Sequence, residues 1–150
     1  MRHTILAVYL FLAVAASAQG DRTFVKSKLA AERHIPFSSA VRVGDTLYIA
    51  GTTADPDRLA KGLSLEQEAT DLMDQVKQSV EKAGMTMDDV VSVQVFCTDL
   101  GLYQSFNAVY SKYFHEDFPA RTFVGVNKLL FGARVEVNAI AVARTNNIKK

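Results

Sequence analysis

A long amphipathic segment that begins at Ser64 most constrains how this chain can fold. Ser64 and Gln67 have the spacing of a capping box, in which each side chain accepts a hydrogen bond from the other residue's backbone N–H. Gly84 is the kind of residue that commonly ends a helix. Apolar residues between them recur at helical spacing and predict one buried stripe: Leu65, Ala69, Leu72, Met73, Val76, Val80 and Ala83. The charged residues are predicted to form a solvated face: Glu66, Glu68, Asp71, Asp74, Lys77 and Lys82.

Segments typical of β-strands precede this helix. Residues 40–51 indicate a hairpin with a turn at Gly44-Asp45, and residues 21–31 indicate an edge segment before it. Residues 54–62 carry a proline, a glycine and charges, and are predicted to be an exposed loop. The apolar stripe of the helix therefore has a sheet to cover.

The second half of the chain predicts further strands and a shorter helix. Residues 90–98 are rich in β-branched side chains, and residues 102–114 have an apolar stripe at helical spacing. Two closing strands follow, one after Pro119 and one over residues 134–143. Strand alternation predicts four residues on one buried face: Val91, Val93, Val95 and Cys97. The order β-β-α-β-α-β-β predicts an α+β fold with two helices packed on one face of a single sheet.

The other face of that sheet mixes apolar residues with Ser92, Gln94, Glu136 and Asn138. Such a surface is too apolar to remain wet and too polar for a dry core. It suits burial against another copy of the chain, with water and ligand kept inside. We therefore expect a homo-oligomer with clefts between subunits.

The N-terminus has the pattern of a secretory signal peptide. A short basic region is followed by an apolar run over residues 5–15 and by the small residues Ala16-Ser17-Ala18. The run is shorter than the roughly 20 residues that a membrane span needs. We expect cleavage before Gln19, which leaves residues 19–150 as a single domain that is periplasmic or extracellular and has no membrane segment.

Composition excludes several classes of function. The net charge of +1 and the lack of a basic stripe argue against nucleic acid as a partner. The single cysteine, Cys97, excludes an intrachain disulfide and a cysteine metal cage, and its apolar neighbours favour an inert buried thiol. His34 and His115 lie in loops without the facing geometry of a metal site. We therefore expect no metal.

Arg121 and Glu136 are charged residues inside otherwise buried-looking β segments. A buried charge is costly unless it is paired or used. Arg121 fits either a ligand-binding role or a structural salt bridge, and Glu136 fits either catalysis or an intersubunit ion pair. Asn107 fits either the same site or an anchor for nearby backbone.

Several blocks of the chain resemble the Rid family, the reactive intermediate deaminases, which are also called RutC-like or endoribonuclease L-PSP proteins. The resemblance covers roughly residues 36–143, and its most specific block is FPART at residues 118–122. The other matching blocks are VEVNAIA at 135–141, VFCTDL at 95–100, FNAVY at 106–110, IPFSSAV at 35–41 and LYIAG at 47–51.

The resemblance implies a chorismate-mutase-like fold with a single mixed sheet, and a homotrimer with ligand clefts between neighbouring subunits. It also implies hydrolysis of reactive enamines and imines, such as 2-aminoacrylate and 2-iminobutanoate, to 2-keto acids and ammonia without a cofactor. Arg121 would grip the substrate carboxylate, Glu136 would place the attacking water, and Asn107 would lie in the same neighbourhood. A guanidinium fork is indeed the natural bidentate partner of a small carboxylate.

The chain departs from the family pattern within the predicted substrate-binding set. Phe37, Ala50 and Phe123 stand where the family commonly has tyrosine, serine and cysteine, and residues 128–132 replace a Leu-Pro block. The polar lining is therefore thinner and more aromatic. A non-catalytic module that binds a small carboxylate is the alternative, while the ribonuclease activity ascribed to some relatives conflicts with the neutral charge.

Overall fold

The computed structural model describes residues 22–27, 31, 32, 34–115 and 117–144. The predicted signal peptide, residues 1–18, lies outside the described residues. The strands are β1 (Arg22–Val25), β2 (Ala40–Val43), β3 (Thr46–Thr52), β4 (Val90–Cys97), β5 (Ala120–Gly125) and β6 (Val135–Val142). The α-helices are α1 (Pro56–Leu59), α2 (Leu65–Lys82) and α3 (Tyr103–Tyr110). No helix in these ranges is both long and apolar enough to cross a membrane.

The six strands form one mixed sheet in the order β1-β2-β3-β6-β4-β5. Only β4 and β5 run parallel, and the other neighbours are antiparallel. Helices α2 and α3 supply buried residues to the core on one face of the sheet. This arrangement confirms the predicted α+β fold and adds β1 at the sheet edge, where the sequence indicated an edge segment.

Helix α2 begins and ends as its sequence predicts. Ser64 and Gln67 form both hydrogen bonds of the capping box, and Gly84 follows the helix with φ +75°. The predicted solvated face is wrong at Glu68, whose side chain is 1% exposed. Glu68 accepts hydrogen bonds from the backbone N–H and Nε of Arg134, both at 2.6 Å, and from the backbone N–H of Val135 at 3.3 Å. A burial cost that is prohibitive for a lone carboxylate is offset by these bonds.

The predicted loop at residues 54–62 contains a short helix instead. The side chain of Asp55 accepts hydrogen bonds from the backbone N–H groups of Asp57 and Arg58, and Pro56 occupies the first turn. An aspartate cap followed by proline is a favourable start for a helix. Helix α1 could not be predicted from apolar periodicity, because it is too short to show any.

The predicted buried face of β4 is wrong at one residue. Val93, Val95 and Cys97 are buried, whereas Val91 is 46% exposed. The pairing with β6 shifts register between Val90 and Ser92, so Val91 leaves the alternation of the strand. Cys97 is buried as predicted, and burial raises the pKa of its thiol.

The face of the sheet opposite the helices stays open and largely apolar. The pairings Val43–Thr46–Val142 and Tyr48–Ile140 place their side chains on this face. Its exposed large apolar side chains are Phe24, Val43, Tyr48, Val124, Ile140 and Val142. A contiguous apolar surface of this kind is typical of an interaction site. We call it the open sheet face.

Candidate functional site

Arg121 lies on the helix side of the edge strand β5. It pairs with the buried Val93 of β4, so its side chain shares the face that α3 covers. Its guanidinium carbon lies 4.6 Å from the ring centre of Tyr110, 5.5 Å from that of Tyr103 and 5.8 Å from that of Phe123. A guanidinium over aromatic faces is stabilised by the negative charge density of the rings. The aromatic rings thus hold the cation without neutralising it.

Arg121 is half-buried and forms no ion pair within the part of the chain that the structure describes. Its Nη2 donates a long hydrogen bond, 3.4 Å, to the hydroxyl of Tyr103. A guanidinium that is partly shielded from water and has no carboxylate partner among the described residues is poised for an anionic ligand. Among the described residues, no carboxylate forms the structural salt bridge that was the alternative role of Arg121.

A cavity of about 370 Å³ adjoins this guanidinium, and we call it the arginine cavity. It is lined by Asn107, Tyr110, Ser111, Phe118, Pro119 and Arg121. Two buried polar atoms of this lining have no hydrogen-bond partner among the described residues: Oδ1 of Asn107 and the hydroxyl of Tyr110. Leaving such atoms unpaired costs about 1–3 kcal/mol each. A ligand that supplies hydrogen-bonding groups beside its carboxylate would recover that cost.

Two tyrosines of α3 respond to this environment in opposite directions. Hydrogen bonding from Asn107 and the charge of Arg121 lower the pKa of Tyr103. Burial raises the pKa of Tyr110 to about 12, against the opposing charge of Arg121. Tyr110 is therefore a neutral hydroxyl at physiological pH. Sequence reasoning missed both tyrosines as site residues, although positions 103, 107 and 110 are spaced to share one helix face.

Glu136 lies on the opposite face of the sheet. It pairs with Phe96 of β4, alternating with the buried Val135 and Val137. Its carboxylate extends over Gly51, where an added Cβ would overlap Oε1 of Glu136. Gly51 belongs to an irregularity in the pairing of β3 with β6, between Ile49 and Thr52. The missing side chain at Gly51 is therefore what makes room for the carboxylate.

A second cavity, of about 490 Å³, adjoins this carboxylate, and we call it the glutamate cavity. Its lining includes Phe37, Ala50, Gly51, Leu130, Phe131 and Glu136. Glu136 is half-buried and has neither a hydrogen bond nor an ion pair within the described ranges. A carboxylate with free lone pairs at a cavity wall can accept a proton from water.

The predicted site residues are thus divided between two cavities. Arg121 and Asn107 line the arginine cavity, whereas Glu136, Phe37 and Ala50 line the glutamate cavity. The two side chains lie on opposite faces of the sheet. The backbones of Arg121 and Glu136 are also offset by three residues along the strand direction and by two strand spacings across the sheet, which places them about 14 Å apart. A small imino acid cannot contact both residues of one chain.

Phe123, the remaining predicted site residue, packs against α3. Its ring centre lies 5.1 Å from that of Tyr103 and 5.7 Å from that of Phe106. It forms part of the aromatic bed of Arg121 but does not belong to the lining of the arginine cavity. Over the described ranges, no three His, Cys, Asp or Glu side chains cluster in a way that could hold a metal ion.

The fold and the site define a class: an α+β domain with an arginine on one face of its sheet and a glutamate on the other, neither of which is paired with another described residue. The chain belongs to the Rid or RutC family, since residues 27–143 match the family described as Endoribonuclease L-PSP. It is 35% identical over 108 residues to a RutC family protein of Sulfurisphaera tokodaii. The aligned region covers 70% of this chain and 86% of that relative.

Two further relatives are close to this chain. A protein of Dermatophagoides farinae named 2-iminobutanoate/2-iminopropanoate deaminase is 33% identical over 123 residues, covering 81% of this chain and 96% of the relative. The crystal structure of RidA from the Antarctic bacterium Psychrobacter superposes with a TM-score of 0.67 at 33% identity. That match covers 72% of this chain and 89% of the RidA chain. These similarities confirm the family and its fold.

Proposed function

We propose that this chain hydrolyses small 2-imino and 2-enamino acids to 2-keto acids and ammonia, at a site that two copies of the chain form together. The similarity to proteins named 2-iminobutanoate/2-iminopropanoate deaminase supports the class of reaction. The single observation that carries the proposal is a guanidinium, that of Arg121, which has no ion-pair partner among the described residues and lies beside two buried polar atoms that those residues also leave without a hydrogen bond.

The arginine cavity has the groups that an imino acid needs. Arg121 donates two parallel hydrogen bonds to the carboxylate of the substrate. The nitrogen of the substrate lies two bonds from the carboxylate carbon, and its N–H donates to Oδ1 of Asn107. The neutral hydroxyl of Tyr110 completes the polar lining. A simple carboxylate would satisfy Arg121 but leave Asn107 without a donor.

Glu136 of a neighbouring copy supplies the proton transfers. It accepts a proton from a water molecule as the water oxygen bonds to the carbon of the protonated imine and the C=N π electrons pass to nitrogen, which gives a neutral carbinolamine. Glu136 then returns that proton to the amino nitrogen, and the C–N bond breaks so that ammonia leaves with the bonding pair. The hydroxyl oxygen forms the C=O bond of the keto acid as its proton passes to Glu136, and the departing ammonia takes that proton as ammonium. An enamine substrate first takes a proton at carbon to become the protonated imine. Acid–base assistance of this kind contributes about 10²–10⁴-fold to the rate.

A second copy is required by the position of the two residues. Arg121 and Glu136 of one chain lie on opposite faces of the sheet, so one substrate must contact Arg121 of one copy and Glu136 of another. The open sheet face supports such an assembly, because its apolar side chains would be covered by a neighbour. We propose the homotrimer that the family resemblance implies. The signal peptide pattern adds the proposal that the reaction takes place in the periplasm or outside the cell.

Turnover of 2-iminobutanoate, generated in situ from 2-aminobutyrate by an amino acid oxidase, tests the reaction. Arg121→Ala is expected to lower kcat/KM roughly 100-fold or more, because it removes two charge-assisted hydrogen bonds. Arg121→Lys is expected to give an intermediate value, because lysine keeps the charge and loses the fork. Lys77→Ala removes an exposed cation whose ion-pair partner among the described residues is Glu81, one turn along α2, and it should match the wild type. Equal rates for wild type and Arg121→Ala would refute the deaminase proposal.

A carboxylate-binding module is the second candidate. It is favoured by the wall beside Glu136, where Phe37 and Ala50 contribute no hydroxyl to orient water. In that case 2-oxobutanoate would raise the melting temperature, Arg121→Ala would abolish the shift, and no imine would be turned over. A shift that survives Arg121→Ala would count against the module.

A further inference from the structure

Part of the lining of the glutamate cavity is apolar and exposed, while Ser39, Gln75 and Lys82 also contribute polar groups to it. Phe37 is 53% exposed, Leu130 69% and Phe131 63%, and all three line the cavity. Ala50 and Gly51 also line this cavity and add no large side chain to it. Hydration of three large apolar side chains at one cavity mouth is unfavourable, and the cost is removed when an apolar group covers them.

Phe131 is held in place at this wall. Its backbone has φ +59°, a left-handed conformation that is strained for a bulky side chain. The backbone N–H of Ala133 donates to the carbonyl of Leu130 at 3.0 Å, which closes the turn. Arg134, the next residue, is fixed by Glu68. The phenyl ring of Phe131 therefore projects from a turn whose following residues are held by hydrogen bonds.

The arginine cavity has an aromatic rim of its own. Phe118 lines that cavity, is mostly exposed, and stacks on Tyr110 with ring centres 6.5 Å apart. In the proposed complex, the carboxylate and nitrogen of the imino acid contact Arg121 and Asn107, and the reacting carbon lies near Glu136. Both cavities therefore present apolar surface that the ethyl group of 2-iminobutanoate is too small to cover.

We propose that this site prefers imino acids with a large apolar side chain, aromatic or branched, over those with two to four carbons. The inference rests on the proposed function for the chemistry and adds the substrate class. Each buried methylene strengthens binding by about 4-fold, so a benzyl group in place of an ethyl group strengthens it at least about 10-fold even when only part of the ring is covered. Phe37 and Phe131 are the residues that set this preference.

Binding of the stable keto-acid products tests the preference apart from catalysis. Dissociation constants of phenylpyruvate, 4-methyl-2-oxopentanoate and 2-oxobutanoate are measured on the full assembly by calorimetry. Phenylpyruvate is expected to bind at least about 10-fold more tightly than 2-oxobutanoate. Phe131→Ala and Phe37→Ala should each reduce that ratio several-fold. Leu100→Ala removes an exposed apolar side chain that lines neither cavity, and it should leave the ratio unchanged.

The same comparison is made on kcat/KM for the imines of phenylalanine and 2-aminobutyrate. Equal dissociation constants for the keto acids, or a preference that survives both phenylalanine substitutions, would overturn the inference. If 2-iminobutanoate is turned over in an Arg121-dependent way but is preferred to the phenylalanine imine, the deaminase proposal stands and this inference fails. A preference for phenylpyruvate without turnover of any imine supports the apolar subsite and refutes the deaminase.

Discussion

Mixing two inactive variants should restore activity if the site is shared between copies. Arg121→Ala removes the carboxylate grip and Glu136→Gln removes the proton acceptor, and each alone should be nearly inactive. The two residues lie on opposite faces of one sheet, so each site takes its arginine from one copy and its glutamate from the next. With random assortment at equal amounts, about one quarter of the sites in a closed ring contain both native residues.

The assay is release of 2-oxobutanoate from 2-iminobutanoate after the variants have been refolded together. Activity should vary with the mole fraction x of one variant as x(1 − x), with its maximum at equal amounts. A second mixture, of wild type with the double variant, independently distinguishes a site shared between two copies from a site within one copy. A shared site gives about one quarter of the wild-type rate at equal amounts, and a site within one copy gives about half.

Mixtures of the single variants that never exceed the sum of the two separate rates would refute the shared site. Samples that are combined without unfolding serve as the control, because their subunits have not exchanged and they should stay inactive. An exchange that occurs without unfolding would be seen as activity that rises with time.

Three further changes test the geometry. Glu68→Gln should lower the free energy of unfolding in urea by roughly 3 kcal/mol, because it weakens a buried carboxylate pair with Arg134. Gly51→Ala should lower kcat/KM about 100-fold with little change in stability, because the new Cβ displaces the carboxylate of Glu136. Tyr110→Phe should remove about 2–3 kcal/mol of alkaline destabilisation between pH 10 and 12, because the unfolded hydroxyl ionises near 10 and the folded one near 12.

Each change has a matched control. Glu66→Gln alters an exposed carboxylate of the same helix and should shift stability by less than about 0.5 kcal/mol. Gly125→Ala places a Cβ in ordinary contact with Leu100 and should leave kcat/KM unchanged. For Tyr110→Phe the control is the same comparison at pH 8, where the hydroxyl is neutral in both the folded and the unfolded state and the pH-dependent gain should be absent. If a control shows an effect as large as that of the substitution it is matched with, the structural explanation of that substitution is contradicted.

Most of the fold could be predicted from sequence signals between neighbouring residues. The capping box at Ser64 and the turn at Gly44 each depend on neighbouring residues alone, so the sequence could predict helix α2 and the first hairpin. Glu68 could not be placed in the same way. Its burial depends on Arg134, 66 residues away, and no helical pattern reveals a partner at that distance.

The residue types of the candidate site follow from the sequence more readily than their positions. Arg121 and Glu136 both lack a partner in the described residues, as expected for groups that bind or react. Their location on opposite faces depends on the register of β5 and β6 against β4, and a slip of one residue would reverse either face. Alternation along β6 predicts the face of Glu136, whereas β5 has no apolar alternation that fixes the face of Arg121. The unpartnered oxygen atoms of Asn107 and Tyr110 likewise become visible only when the helix is packed on the sheet.

The hydrogen bonds of Glu68 have a consequence for altering this protein. They hold the first residues of β6, and Glu136 follows two positions after Arg134. Directed evolution toward new substrates would therefore leave this clamp intact and randomise Phe37, Leu130 and Phe131. Libraries restricted to that mouth would change which molecules enter while preserving the orientation of the reacting carboxylate.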